Sequence, residues 1–349
     1  MLHFECDYSE GAHPQILKRL LETNLEQTPG YGEDDHCLRA RALIQQACGV
    51  PQAAVEFLPG GTQTNLTVIA ALLRPYQGVI CADSGHIQVH ETGAVEATGH
   101  KVLPLPSTDG KLSAAQIQQL CTAHWSDPVR EHTVQPGLVY LSQPTEVGTL
   151  YTLAELEAIH RVCQEYHIPL YLDGARCGYG LAAPGSDVSL CDLARLSDVF
   201  SIGGTKVGAL LGEAVVLPNL ALAQDFRYMI KRQGGMLAKG RLLGLQFEVL
   251  FEDGLYLQLG HHAVSLALEI RKTCEDCGIP LAFPSRTNQQ FPILTQKQRE
   301  SLAQTYSFTH WADLDDERAV VRFCTSWATR PEAVEQLCQD IRSLCASPT

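Results

Sequence analysis

The sequence predicts an α/β fold, in which a large domain built on a mostly parallel β-sheet is followed by a small α+β C-terminal domain. Short β-rich runs alternate with helical stretches between residues 50 and 217, the pattern of a layered α/β domain. Several of these runs are almost entirely apolar, as expected for strands that helices cover on both faces. After about residue 250 the pattern changes to a long helix, irregular segments rich in Pro and Gln, a strand and a last helix.

The domain boundary is therefore predicted near residue 250. Residues 1–250 form the large domain and residues 251–349 the small one, and the first 30 or so residues should join the cleft between them. The chain has no internal repeat, low-complexity tract or long polar linker, so the two domains should pack closely. A functional site is expected in the cleft between them.

The strand candidates of the large domain are short runs rich in apolar residues. They lie at residues 79–82, 101–105, 138–142, 169–172, 199–202 and 214–217. A helix is predicted to begin after Thr152, which can cap it, and to end near His167. Its apolar residues fall on one face. These are Leu153, Leu156, Ile159 and Cys163.

The small domain has two predicted elements with clear signals. Residues 319–324, AVVRFC, form a strand candidate. The last helix should open with a capping box in which Thr329 and Glu332 satisfy each other's backbone N–H groups.

Composition excludes several classes of function. The chain has 349 residues, 45% of them hydrophobic, and a net charge of -13, which repels nucleic-acid backbones and anionic lipid surfaces. No apolar stretch approaches the roughly 18 residues that a membrane span needs, and acidic residues occupy the N-terminus where a signal peptide carries basic ones. We therefore expect a soluble, cytoplasmic, globular protein that binds neither nucleic acid nor membranes.

The 13 cysteines follow no disulfide framework and are interpreted as reduced, largely buried thiols. Cys274 and Cys277 form a C-x-x-C pair, but no second pair completes a zinc site. His86 and His90 have the spacing of two metal ligands on one helix face, yet the Glu of the metalloprotease motif is missing between them. No metal is predicted.

A glycine-rich turn precedes the apolar helix that begins near residue 65. Gly60, Gly61 and Thr62 lie where the free N–H groups of a helix N-terminus point outward, which favours binding of an anion such as a phosphate. The glycines allow close approach and the Thr62 hydroxyl adds a donor. A purely structural strand-to-helix turn would use the same glycines, so this motif alone does not decide.

Asp173 follows a buried strand in the segment LYLDGAR, at the strand end where open α/β sheets place functional groups. A buried carboxylate requires a cationic partner, and a protonated pyridine nitrogen would supply one. Pairing with Arg176, or capping of a helix, is the alternative interpretation.

Lys206 lies in the glycine-flanked turn GGTKVG, among small and apolar neighbours. Desolvation there would favour the neutral amine that Schiff-base chemistry needs, whereas a solvated loop lysine is the alternative. His86 also follows a strand, and its imidazole could stack on a flat heteroaromatic ring, move a proton or simply bind loop backbone. Together the glycine turn, His86, Asp173 and Lys206 supply the groups that a pyridoxal-phosphate (PLP) site requires.

With these motifs the whole chain resembles the threonine aldolase and β-eliminating lyase family of fold-type-I PLP enzymes. The similar segments are YGED at 31–34, GGTQTN at 60–65, His86, DGAR at 173–176, GGTK at 203–206 and VRFCTSW at 321–327. The phrase TEVGTLYTLAELEAI, from Thr145, is similar to the phenylserine aldolase branch.

The resemblance implies a role for each matching residue. Lys206 would bind PLP covalently, Asp173 would pair with the pyridinium and His86 would stack on the ring. The remaining cofactor-binding residues would be Gly60, Gly61, Thr62, Arg176 and Thr205. The substrate carboxylate would be bound by Arg176 and Arg322, whose forked guanidinium groups suit this task. Tyr31 would line the site from a neighbouring subunit of a homodimer or homotetramer.

The implied reaction is the cleavage of an L-β-hydroxy-α-amino acid, of the threonine, allo-threonine or phenylserine type, to glycine and an aldehyde. Two features depart from the family pattern: no histidine lies near Thr145 or Glu146, and Cys6 and Asp7 replace an N-terminal Ser-Asp pair. The base therefore stays open between His86, Glu146 and a bound water. The alternatives are β-elimination from an aromatic or sulfur amino acid, and a non-catalytic PLP-binding protein.

Overall fold

The computed structural model describes residues 1–346. The strands are β1 (Leu2–His3), β2 (Ala54–Leu58), β3 (Gln77–Ala82), β4 (Lys101–Leu105), β5 (Gln135–Ser142), β6 (Leu170–Asp173), β7 (Val199–Gly203), β8 (Glu213–Leu217), β9 (Gln289–Gln290), β10 (Ile293–Thr295), β11 (Tyr306–Ser307), β12 (Thr309–Asp313) and β13 (Arg318–Cys324).

The helices are α1 (Pro14–Glu22), α2 (Asp35–Cys48), α3 (Gly61–Leu72), α4 (His86–Val89), α5 (Ala114–Ser126), α6 (Leu153–Tyr166), α7 (Cys177–Ala182), α8 (Leu190–Leu196), α9 (Leu220–Ala223), α10 (Phe226–Arg232), α11 (Arg241–Glu252), α12 (Leu255–Asp276), α13 (Gln296–Leu302) and α14 (Pro331–Ala346). Short 3-10 helices lie at Glu96–Thr98 and Arg130–His132. No helix described in residues 1–346 has the length and apolar character needed to cross a membrane.

The large sheet has seven strands in the order β2-β8-β7-β6-β5-β3-β4. Strands β3 to β7 are mutually parallel, whereas β8 runs antiparallel to both β7 and β2. The α/β class with a mostly parallel sheet is therefore confirmed. The carboxyl ends of β2, β3, β5, β6 and β7 meet at one edge, and this edge positions the site.

The elements of the large domain follow the predicted pattern closely. Each predicted strand is present, and β4 has the predicted bounds. Helix α6 begins after Thr152, which forms a capping box with Glu155, and ends at His167 in the left-handed conformation. Leu156, Ile159 and Cys163 are fully buried, so the predicted apolar face is confirmed, with Leu153 partly buried against the same core.

The predicted capping box at the last helix is wrong. Helix α14 begins at Pro331. The Thr329 hydroxyl accepts the backbone N–H of Ser326 at 2.7 Å instead of capping the helix. The backbone N–H of Thr329 in turn donates to the carbonyl of Ser326 at 3.2 Å, so a local turn uses the side chain that the box required.

The C-terminal part of the chain has its own sheet and apolar cluster. Strands β10, β13 and β12 pair antiparallel, and β9 also pairs with β13. Phe4 from the N-terminus is buried in this cluster, and its carbonyl accepts the N–H of Cys324 at 2.7 Å. Helix α12 contributes Leu259 to the large core and Ile270 to this cluster. The division into residues 1–250 and 251–349 stays a prediction.

Candidate active site

The carboxyl edge of the large sheet brings together side chains that are far apart in the sequence. His86, Glu146, Asp173, Arg176 and Lys206 line one cavity, together with Gly61 and Asn65. A wider outer cavity, of about 530 Å³, shares four of these residues and extends to β12 and β13. Six of the predicted site residues of the large domain, the five named first and Gly61, therefore line one cavity.

Asp173, the last residue of β6, is held from three sides. Its Oδ2 accepts hydrogen bonds from the Tyr140 hydroxyl at 2.6 Å and the Asn65 amide at 3.0 Å. Its Oδ1 accepts the backbone N–H of Ala175 at 2.8 Å. The alternative in which Asp173 pairs with Arg176 is wrong, because the ion-pair partner of Arg176 is Asp7. The carboxylate is 6% exposed, and no cation among residues 1–346 forms an ion pair with it.

Asn65 and Glu91 connect Asp173 to His86, and sequence reasoning missed the role of both. The Asn65 amide also donates to Glu91 Oε1 at 2.7 Å, and that oxygen lies 2.7 Å from His86 Nδ1. Both residues are buried, and Glu91 Oε2 has no hydrogen-bond partner within residues 1–346. A five-residue separation in the sequence links His86 and Glu91, but nothing in that spacing reveals the burial of the carboxylate.

The environment of His86 favours its protonated form. Burial by itself lowers the pKa of the imidazole, but the hydrogen bond to Glu91 and the nearby charges of Asp173, Glu91 and Glu146 outweigh it and raise the pKa of His86. His86 is the first residue of the short helix α4, directly after the turn that follows β3. Its position at the cavity wall agrees with a ring-stacking role, which stays a prediction.

Lys206 lies three residues beyond the end of β7. Its backbone carbonyl accepts a hydrogen bond from the Tyr179 hydroxyl, which fixes the turn. The turn is also bound to the residue before β8, because the Thr205 hydroxyl accepts the N–H of Gly212 at 3.0 Å. The amino group of Lys206 makes neither an ion pair nor a hydrogen bond with residues 1–346, and it faces both cavities.

Glu213, the first residue of β8, is an unpredicted buried carboxyl near this lysine. It pairs with Gly203 in the sheet and is 2% exposed, and its Oε2 lacks a hydrogen-bond partner within residues 1–346. Burial raises the pKa of Glu213 to about 8, although the charge of Lys206 opposes the shift. Its side chain is therefore largely neutral at pH 7.

The glycine-rich turn ends in an uncapped helix N-terminus. Gly60 precedes α3, and no side chain accepts a hydrogen bond from the first N–H groups of this 12-residue helix. The space where a Cβ would lie at Gly60 and Gly61 is open, and Thr62 is exposed. Free N–H donors and open space are the features that an anion site at a helix N-terminus needs.

Arg176 is anchored by Asp7. Two guanidinium nitrogens, Nε and Nη2, donate to the two carboxylate oxygens of Asp7 at 2.7 and 3.0 Å. Burial would raise the pKa of Asp7, but the charges of Arg176 and Lys206 reverse the effect and lower it. Nη1 of Arg176 has no hydrogen-bond partner within residues 1–346, so one nitrogen remains available for a ligand in the cavity.

Arg322, on β13, is a cation without an anion. It donates to the Glu5 carbonyl at 2.9 Å and to the Gln289 side chain at 3.2 Å, and lies over the Trp311 ring at 5.3 Å. Its Nε is buried without a partner, and no carboxylate in residues 1–346 pairs with it. Because Arg322 lines the outer cavity, its charge favours a carboxylate there.

Glu146 lies between the two parts of the site. Its Oε1 accepts the Ser142 hydroxyl at 2.6 Å and the backbone N–H of His86 at 2.9 Å. Burial raises the pKa of Glu146, although the hydrogen bond from Ser142 and the charge of His86 oppose the shift. The carboxyl can therefore carry a proton at a higher pH than an exposed glutamate does.

Tyr31 is not brought to this site by its own chain. It has a φ of +60° and is 47% exposed, and its ring is covered by the Lys231 amino group at 4.7 Å. It lines a different cavity, with Arg41 and Arg227 among the wall residues. A role for Tyr31 in the active site therefore requires a second subunit.

The residues present fit PLP. An unpaired amine at Lys206, a buried unpaired carboxylate at Asp173 and an uncapped helix N-terminus at Gly61 are the three groups that the covalent bond, the pyridine nitrogen and the phosphate of PLP require. In residues 1–346, no group of three or more His, Cys, Asp or Glu side chains has the geometry to hold a metal.

The chain is similar to known proteins along most of its length. The profile of the beta-eliminating lyase family matches residues 7–297. A low-specificity L-threonine aldolase of Pseudomonas aeruginosa is 33% identical, over 97% of this chain and 96% of its own. The structure of a threonine aldolase of Leishmania major superposes with a TM-score of 0.96 at 44% identity, covering 99% of this chain and all of that one.

A more distant structure extends the likeness of fold alone. Aspartate aminotransferase of Thermus thermophilus has a TM-score of 0.71 at 13% identity, over 99% of this chain and 91% of its own. The predicted fold-type-I architecture is therefore confirmed. Because the family profile and the Pseudomonas relative both align along most of the sequence, the chain belongs to the beta-eliminating lyase family and is a PLP-dependent lyase of fold type I.

Proposed function

We propose that this enzyme cleaves L-β-hydroxy-α-amino acids, of the threonine, allo-threonine or phenylserine type, to glycine and an aldehyde. The observation that carries the proposal is a single cavity that holds an unpaired amine, Lys206, and an unpaired guanidinium, Arg322. These groups match the cofactor and the carboxylate of an amino acid. The names of the relatives, which are threonine aldolases, support the same substrate class.

The chain's residues hold the cofactor from three directions. Lys206 would bind it covalently, Asp173 would pair with its ring nitrogen and His86 would cover the ring. Gly60, Gly61 and Thr62, at the N-terminus of α3, would hold the phosphate together with Thr205. When bound, PLP supplies an electron-withdrawing ring that stabilises the electron pair left by bond cleavage.

Arg176 and Arg322 orient the substrate. Arg322 and the free nitrogen of Arg176 bind the α-carboxylate from two sides of the outer cavity. When the carboxylate is held, the substrate can no longer rotate freely about the bonds at Cα. The Cα–Cβ bond is then held in the orientation that cleavage requires. The volume of about 530 Å³ leaves room for side chains from methyl to phenyl, in agreement with low substrate specificity.

The active form is a cytoplasmic homodimer or homotetramer. Tyr31 is exposed and lines a different cavity of its own chain, so we expect it to contribute to an active site of a neighbouring subunit. Exposed apolar side chains on the N-terminal segment support such an interface; among them are Leu17, Leu21 and Leu25.

β-Elimination from an aromatic or sulfur amino acid is the competing reaction, which the family description favours. It uses the same cofactor and the same binding of the substrate carboxylate, but it begins by breaking the Cα–H bond. A non-catalytic PLP carrier is the other alternative, and the unpaired Arg322 argues against it because a carrier has no need to bind a carboxylate.

A substrate panel separates the three functions. The purified holoenzyme is mixed with L-threonine, L-phenylserine and L-tryptophan, and aldehyde, pyruvate and indole are measured. The aldolase releases aldehyde and glycine in equal amounts. Pyruvate or indole without aldehyde would establish the eliminating lyase, and absence of any product would favour the carrier.

A further inference from the structure

His86 and His90 lie one helical turn apart, with ring centroids separated by 5.5 Å, and both line the outer cavity. We propose that His90 is the base that removes the proton from the β-hydroxyl group of the substrate. This inference rests on the proposed aldolase function, and it selects a residue outside the three bases that the sequence left open.

His86 is poorly suited to the task. Its Nδ1 is bound to Glu91 at 2.7 Å, and this partner keeps a proton on the ring. The raised pKa of His86 favours the protonated imidazole. A protonated imidazole cannot accept a second proton.

Glu146 is also committed to other contacts. One of its oxygens accepts two hydrogen bonds, from Ser142 and from the backbone of His86. The raised pKa of this buried carboxyl increases the fraction that is neutral, and a neutral carboxyl is not a base. Its hydrogen bond to the backbone of His86, the first residue of α4, indicates that Glu146 positions this helix.

His90 has the opposite properties. It is exposed to the outer cavity, and neither ring nitrogen has a hydrogen-bond partner in residues 1–346. Burial and the positive charges of His86, Arg322 and Arg176 lower the pKa of His90, so its imidazole is neutral at pH 7. Neighbouring imidazoles whose pKa values are driven apart are typical of sites that divide acid and base roles.

The charges around His90 change when substrate binds. The cavity wall also carries Glu146, Lys206, Tyr8 and His310. A substrate carboxylate on Arg322 and Arg176 neutralises two of the three positive charges that lower the pKa of His90, so its affinity for a proton rises in the complex. The base is therefore strengthened by the ligand on which it acts.

The proposed step balances as follows. The imidazole of His90 takes the hydroxyl proton, and the O–H electron pair becomes the second bond of the aldehyde carbonyl. The Cα–Cβ bond breaks and its electron pair passes to Cα, where a proton then completes glycine. His90 returns its proton to solvent through the open cavity.

The test compares two reactions of one variant. Retro-aldol cleavage of L-phenylserine needs the base, whereas exchange of a glycine Cα proton with deuterated water does not, because glycine has no β-hydroxyl. In H90N we expect aldehyde release to fall by about 10²- to 10⁴-fold, the usual contribution of general-base catalysis, with glycine exchange within about threefold of the wild type. Added imidazole should partly restore cleavage.

The matched variants are H310N, in the same cavity, and E146Q. In H310N, kcat/KM should still fall at acid pH as in the wild type. In H90N this acid limb of the pH profile should be lost. Unchanged cleavage in H90N, or equal loss of cleavage and exchange, overturns the inference. The inference is also overturned if E146Q loses cleavage selectively while H90N remains fully active. A wild-type enzyme that exchanges glycine but releases no aldehyde overturns the proposed function, and the inference with it.

Discussion

Asp7 and Arg176 form a buried two-point ion pair, in which both carboxylate oxygens accept hydrogen bonds from the guanidinium, at 2.7 and 3.0 Å. The pair joins the N-terminal segment to the residue that precedes α7. Asn288 adds a third bond to Asp7, at 2.9 Å, from the C-terminal part of the chain. One arginine at the substrate cavity is therefore oriented by two distant segments.

Replacing Asp7 by Asn should destabilise the fold, because it leaves the guanidinium buried without its counter-charge. We expect the free energy of unfolding to fall by roughly 3 kcal/mol, as measured by denaturant titration. The double variant D7N/R176Q should lose less than the sum of the single losses. If the losses of the two single variants add up to that of the double variant, Asp7 and Arg176 are not energetically coupled. D253N, at an exposed aspartate, serves as the control.

The same pair predicts acid sensitivity. The pKa of Asp7 is lower in the folded protein than its ordinary value of 3.8, so its stabilisation is present above that value and is lost as the pH falls further. The stability of D7N should therefore depend less on pH below about 4 than that of the wild type. Parallel acid-unfolding curves for the two proteins would reject this assignment.

Arg322 should control affinity for the substrate carboxylate. Its charge has no partner among residues 1–346, so R322Q should weaken glycine binding by about 10²-fold. R322K keeps the charge but loses the forked guanidinium, so its affinity for glycine should be intermediate. The dissociation constant is measured by the change in visible absorbance when glycine is added. Equal affinity in R322Q and the wild type would remove Arg322 from the site.

Lys206 should be required for covalent attachment of the cofactor. The K206A protein is expected to fold, because the lysine side chain makes no hydrogen bond or ion pair with residues 1–346. It should lose the visible absorbance of covalently bound PLP and its aldehyde release. The matched variant K272A, at an exposed lysine of α12, should keep both. Retention of covalent PLP in K206A, judged by mass after borohydride reduction, would disprove the assignment.

Glu213 should make stability fall as the pH rises. Its pKa is about 8 in the folded protein and 4.5 ordinarily, so between these values the unfolded chain loses the proton while the folded protein keeps it. The penalty grows across that window to on the order of 5 kcal/mol and is constant above it. E213Q, which is permanently neutral, should be more stable than the wild type at pH 8 to 9, as measured by thermal unfolding.

A stability difference between E213Q and the wild type that stays constant from pH 5 to pH 9 would show that Glu213 does not titrate in this range. The variant E22Q, at an exposed glutamate of α1, is the control for a general effect of charge removal.

Local chemistry made much of the site predictable. A carboxylate after the strand LYLD, a lysine in a glycine turn and glycines before α3 can be recognised without coordinates, because each feature depends on a few adjacent residues and on the rule that parallel strands end at one edge. The failed capping box at Thr329 has the complementary cause: Ser326, three residues away, competed for the same hydroxyl.

The buried partners could not be predicted. Glu91, Asn65 and Glu213 look like ordinary polar residues in the sequence, and only their packing against other strands and helices removes them from water. Asp7 lies 169 residues from Arg176 along the chain, so no spacing rule links the two. The contrast between His86 and His90 likewise depends on which charges the fold places beside each ring.

The sequence by itself determined the α/β class, the strands, the cofactor and several of the side chains that line the candidate site, because these follow from short-range patterns and from hydrophobic periodicity. The tertiary structure decided which carboxylates pair, which cations stay unpaired and which imidazole is left neutral. The physical reason is that burial and Coulomb interactions depend on distance in space, and the chain order of the residues does not specify that distance.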